Sequence, residues 1–213
     1  MRSAEKLFEP ASSEFLCGFP LRATLRNAAA KRATPAGGPM MFHLLTLPGS
    51  PANLVYIQER EVQVTDIQAL WFGSRADQPW RLWSEITGVP PRNQVVGLNL
   101  AEAAELAGEL DCEIPTLAEW RRAVGQIPDA KTMDFVGGVW ELCSDSAAQG
   151  AVTIVGGCWL DHDAEVQAAG IGADESTTGP ARFGTIGFRL CKRFSVPGEA
   201  LAAASKGISD SAP

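Results

Sequence analysis

The chain has 213 residues, is 46% hydrophobic and 8% aromatic, and holds 21 Gly and 14 Pro. That length supports one packed domain with appendages, and such frequent backbone punctuation with a few large anchors favours a loop-rich α+β domain over a helical bundle. The net charge is −7; this acidity excludes nucleic acid as a partner, and no apolar run approaches the roughly 20 residues that cross a bilayer, which excludes a membrane role.

Residues 1–40 run against the overall charge, with six Lys/Arg and three Asp/Glu. Rich in Ala, Pro, Gly and Arg and without sustained periodicity, they read as a basic extension suited to docking on an acidic neighbour. A short helix is expected over LRATLRNAAAKR, 21–32. No continuous apolar stretch with a cleavage site opens the chain, so no secretion signal is expected, and the protein is placed in the cytoplasm or within a particle such as a virion.

The compact part is expected over 41–195. MFHLLTLP (41–48) and NLVYIQEREVQV (53–64) read as strands bounded by a Pro-Gly-Ser-Pro turn. A helix follows in VTDIQALWFGS, with Thr65 and Gln68 as a capping box, Ile67, Leu70 and Trp71 as its apolar stripe and Gly73 closing it. Asn99 with Glu102 opens a second helix in the same way. Thr116 with Glu119 opens a third, carrying Trp120 inward and ended by Gly125. Beyond it, FVGGVWELC, AVTIVGGCWL and GTIGFRLCKRF are strand-like runs broken by glycines, which mark bulges or close backbone approaches. Residues 161–183 between the last two runs read as a long polar loop, and 196–213 as a flexible tail.

The stretch FVGGVWELCSD (135–145) poses the question of chemistry, because Cys143 is flanked by Glu141 and Asp145. Read as scaffold, Gly137 and Gly138 permit a turn, and Trp140 and Leu142 share one strand face with Glu141 on the other. Glu141 would then accept backbone amides or pair with an arginine such as Arg189, and Cys143 would fill a small apolar gap. The scaffold reading is the stronger. The five cysteines (17, 112, 143, 158 and 191) form no C-x-x-C pair and are joined by two histidines, a poor inventory for zinc. They read as buried thiols, with a disulfide among the last three left open.

One cation candidate remains in DHDAE: Asp161, Asp163 and Glu165 alternate as in hard-cation loops, beside His162. It lacks the glycine and distal glutamate of an EF-hand, so a solvated loop is the stronger reading. Calcium is the one cofactor left open.

Taken in order, EREVQVTDIQAL, NQVVGLNLAEAAELAGEL, IPTLAEWRRA, MDFVGGVWELCSD, VGGCWLD and IGFRLC resemble the successive motifs of the formylglycine-generating enzyme (sulfatase-modifying factor) family. The resemblance covers about Glu59 to Arg193. It implies an irregular C-type-lectin-like α+β domain, with a small twisted antiparallel sheet, two or three helices and long loops. In it Thr116, Glu119, Trp120, Gly137, Gly138, Trp140, Glu141, Gly156, Gly157, Gly187, Phe188 and Arg189 are motif positions that build the scaffold.

The family's oxygen-dependent enzymes bind copper through two cysteines between the motifs matched by VGGCW and GFR. Here 159–190 contains no cysteine, and Asp161, His162 and Val166 stand in that region. Soft Cu(I) needs thiolates, so catalysis is not expected. A further branch adds a histidine-bearing iron domain, for which this chain has no counterpart. The family's calcium-holding Asn is Gly138 here, and the span between AEW and GGVWEL is short.

What remains is contact. In related variable proteins of retroelements the loop between the last two motifs is the recognition surface. The matching candidates are Trp159, Asp161, His162, Asp163, Glu165, Asp174, Glu175 and Arg182, facing a carbohydrate or protein ligand. A loop borne on a rigid scaffold suits recognition. The expected function is a non-catalytic interaction module, a structural or display subunit tethered to neighbouring subunits by residues 1–40. A free ligand-binding protein is the alternative, and an oxidoreductase the last.

Overall fold

A computed structural model describes residues 8–10, 15–16, 19–25, 39–46, 53–71, 93–128, 135–146, 152–160, 168–171 and 183–195. Strands β1 (Phe8–Pro10), β4 (Arg22–Leu25), β5 (Met40–Leu45), β6 (Asn53–Gln58) and β11 (Cys191–Ser195) form an antiparallel sheet in the order β1-β4-β5-β6-β11. A second sheet runs β10-β7-β8-β9, built from β7 (Trp140–Ser146), β8 (Val152–Val155), β9 (Ala168–Ile171) and β10 (Ile186–Gly187). Its β10–β7 contact is parallel and the others are antiparallel. β2 (Phe15–Leu16) and β3 (Phe19–Pro20) pair with each other. With helices α1 (Val64–Trp71), α2 (Leu100–Glu109) and α3 (Leu117–Gln126), the fold is α+β.

The register of the first sheet explains where the core sits. Arg22, His43, Ile57 and Cys191 form one row across four strands, and Ala23, Phe42 and Gln58 the next. Because strand side chains alternate, these rows face opposite ways. One face sends Ala23, Leu25, Met40, Phe42 and Tyr56 into a cluster with Ala103, Leu106 and Ala107 of α2. The other sends Leu45, Val55, Ile57 and Cys191 against Trp120 and Ala123 of α3. The second sheet feeds both clusters, through Leu142 and Ile154 on one side and Cys143 and Val155 on the other.

Several sequence expectations are corrected. LRATL is strand rather than helix: Ala23 and Leu25 are buried while Arg22 and Thr24 are half-buried, a period of two that the surrounding alanines conceal. Strand β4 thus brings residues 22–25 of the basic extension into the main sheet, and Met40 already belongs to β5. Helix α1 begins at Val64, so Thr65 lies inside it and is not the cap. Asp66 in the first turn instead reaches back to the residue before the helix, its carboxylate accepting the Gln63 N–H at 2.9 Å. Leu70 and Trp71 close this helix with side chains outside the described residues, as is Gly73. β6 stops at Gln58 instead of reaching Val64, since the chain turns at Glu59 and Arg60. α3 runs one residue past Gly125, and the polar segment 161–183 contains β9. The capping boxes of Asn99–Glu102 and Thr116–Glu119 are both formed.

Candidate functional site

The two ends of the segment 161–182 are fastened to one short piece of chain. β8 leads into Gly156 and Gly157, whose φ angles of 95° and 74° suit glycine, and then into Trp159, which donates its N–H to the Gly138 carbonyl at 3.0 Å. On the return, the Thr185 carbonyl accepts the Trp140 N–H at 3.0 Å, and the Phe183 carbonyl accepts that of Gly97 at 3.1 Å. Residues 138–140 therefore hold both roots. Trp159 is half-buried. Leu160 and Phe183, one at each root, are the exposed large apolar side chains among the described residues, at 56% and 40%. Asp161, His162, Asp163, Glu165, Asp174, Glu175 and Arg182 lie outside the described residues, and with them the calcium candidate.

Beneath the roots sits a buried ion pair. Arg189 donates through Nε to Glu141 Oε2 at 2.8 Å and through Nη2 to Oε1 at 2.9 Å, and both side chains are fully buried. Its Nη1 reaches the Gln58 carbonyl at 2.8 Å, and the guanidinium lies 3.5 Å from the centre of the Phe135 ring. The pair ties β7 to β6 and to the turn before β11. Glu61, also buried, accepts the Val139 N–H at 3.3 Å. Phe188 is buried in the larger core cluster. Gly137 has φ 86° and donates its N–H to the Gly156 carbonyl at 3.0 Å.

A second polar knot fixes α3 to the main sheet. Glu119 accepts from the Thr116 N–H at 2.7 Å and also from Arg193 Nε at 2.9 Å and Nη2 at 2.6 Å. Arg193 further pairs with Glu113, and Asp145 accepts the N–H of Leu117 at the first turn. Burial pushes the Glu119 carboxyl up, but its bonds to Arg193 and Thr116 outweigh that and hold it below the ordinary carboxylate value. A carboxyl depressed in the folded state contributes stability that is complete above its unfolded value, near 4.5, and is lost as pH falls through the folded value. Glu119→Gln should therefore be less stable at neutral pH and show a shallower acid limb in urea melts between about pH 5 and pH 2. An unchanged limb would contradict the assignment.

Sequence reading missed one cluster altogether. Glu59 lies 2.7 Å from Arg22 Nη2 and 3.0 Å from His43 Nε2, joining the start of β4 to β5 and the end of β6. Arg22 and His43 are cross-strand partners, so the signal was the alternation of both strands, visible only once β4 is recognised as a strand.

The described cysteines, Cys112, Cys143, Cys158 and Cys191, are buried thiols outside any disulfide. Burial pushes the Cys112 thiol up to about 12. Cys143 moves the same way, chiefly by burial and then through Glu141 and Asp145, as does Cys191 by burial. Thiolate is the reactive form, so alkylation of native protein followed by peptide mapping should leave these three unmodified until denaturant is added. Rapid native labelling of Cys143 would contradict its placement.

Among the described residues no helix is long and apolar enough to cross a membrane. No protein-family model matches the chain, and no curated protein matches it.

Proposed function

We propose that this chain is a catalytically silent binding module with the C-type-lectin-like fold of the formylglycine-generating enzyme family. It meets its partner, a carbohydrate or a protein, through 160–183, and serves as a structural or display subunit of a larger assembly such as a virion, tethered by the N-terminal extension. The observation that carries this reading is the convergence of both roots of that segment on residues 138–140, above the buried Glu141–Arg189 pair. A loop carried on a packed scaffold suits recognition. Trp120 is buried and the Thr116–Glu119 capping box is formed, which supports reading these residues as scaffold. The missing cysteines in 159–190 argue against oxygen chemistry.

The alternative, a free ligand-binding protein, gains from one observation: β4 builds part of the extension into the sheet, with Ala23 and Leu25 in the core. A tether would have to use the remaining basic residues, Arg26, Lys31 and Arg32 among them. The two readings separate by variant. Asp161, Asp163 and Glu165 changed together to Ala should weaken binding to glycan and peptide arrays at least about tenfold, an effect of roughly 1.4 kcal/mol. Arg26, Lys31 and Arg32 changed together to Ser should abolish co-sedimentation with the assembly and leave array binding intact. Array binding indifferent to the carboxylates would sink the first claim, and co-sedimentation indifferent to the basic residues would favour the free protein.

A further inference from the structure

We propose that Gly97, Gly138, Trp140 and Gly187 form a backbone clamp that sets the spacing and direction of the two roots, at Trp159–Leu160 and at Phe183–Thr185. The meaning of this clamp for recognition rests on the reading above; its existence does not. Gly187 is its positioning residue. A Cβ built there would stand 2.6 Å from the Val95 carbonyl and 2.8 Å from Val139 Cγ2, and the former is backbone that cannot swing aside. This close approach lets β10 lie in parallel register on β7, with Ile186 opposite Trp140 and Gly187 opposite Glu141. The N–H of Gly97, at φ 78°, points at the carbonyls of both Phe183 (3.1 Å) and Ile186 (3.2 Å). Trp140 holds Thr185 from the other side, and Gly138 holds Trp159. The supporting layer is firm: the Val95 N–H donates to the Val62 carbonyl at 2.8 Å, and both residues are buried. A methyl group at 187 would drive β10 away from Val95 and Val139 and carry the Phe183 root with it.

The test uses spin labels at the exposed roots, introduced as Leu160→Cys and Phe183→Cys in the full chain with Cys17→Ser, the other cysteines being buried. Electron paramagnetic resonance should give one narrow separation in the labelled parent. Gly187→Ala should lose it and give a longer, broad one. Thr116→Ala, which removes the α3 cap and lowers stability away from the clamp, should leave it narrow. A broad separation in the parent, or a narrow and unshifted one in folded Gly187→Ala, overturns the proposal. Should Gly187→Ala fail to fold, hydrogen exchange on the unaltered chain decides. The Gly97, Trp140 and Trp159 amides should be as protected as those pairing β7 with β8, and exchange at exposed-loop rates refutes the clamp. Neither readout needs a ligand, so a failure of the binding reading leaves these results standing on their own.

Discussion

Glu141→Ala is expected to destabilise the protein by about 3–5 kcal/mol, a large part of the roughly 5–15 kcal/mol that holds a domain together. The reason is what it leaves behind. The Arg189 guanidinium is fully buried and would lose the carboxylate that accepts from both its Nε and its Nη2. The paired replacement Glu141→Leu with Arg189→Met removes both desolvated charges and should cost less than Glu141→Ala alone. Urea unfolding of the three proteins measures this directly. A loss below about 1 kcal/mol for Glu141→Ala would mean that water reaches Arg189, and that the two sheets are not joined as described.

Trp120→Ala is expected to cost a similar amount, about 3–5 kcal/mol, through a different term. Trp120 is fully buried on the inner face of α3 and meets Phe135 edge-on, with ring centres 5.8 Å apart. On its other side is Gly156, where a Cβ would come within 3.3 Å of Trp120 Cζ2 and 2.8 Å of the Phe135 carbonyl. The indole is therefore enclosed by backbone as well as side chains, and the site collapses poorly when it is removed. Trp120→Phe, which refills part of the space, should recover a substantial share. The check is a fall in the urea midpoint with an unchanged slope; a change confined to the slope would point to the unfolded state instead.

The local signals in the sequence were read well where chemistry and spacing coincide. Asn99 with Glu102 and Thr116 with Glu119 form the capping boxes that their three-residue spacing announces. Glu141 and Arg189 are partners because a carboxylate and a guanidinium in apolar runs must each find an opposite charge. Legibility failed where the deciding contact was distant. β4 hides in an alanine-rich basic stretch, and its two inward residues acquire meaning from Phe42 and Met40 across the ladder. β9, with the sequence AAGI, has no strand signal beyond Ile171, and its register comes wholly from β8. At α1 the eye goes to Thr65, yet the backbone starts the helix one residue earlier, where Asp66 can reach Gln63. At the candidate site the roots could not be foreseen as neighbours, because Gly138, Trp140, Trp159 and Thr185 meet through backbone groups that carry no residue signature.

The claim that this protein works by contact and not by oxygen chemistry is tested most directly by adding Cu(I) to the purified full chain with a cysteine-containing sulfatase peptide. Oxygen consumption and the peptide aldehyde would then be followed together. The expected result is oxygen uptake no faster than copper and peptide alone, with no aldehyde formed. Stoichiometric Cu(I) binding together with catalytic aldehyde formation would contradict the account, because it would require thiolate ligands that the segment 159–190 does not contain.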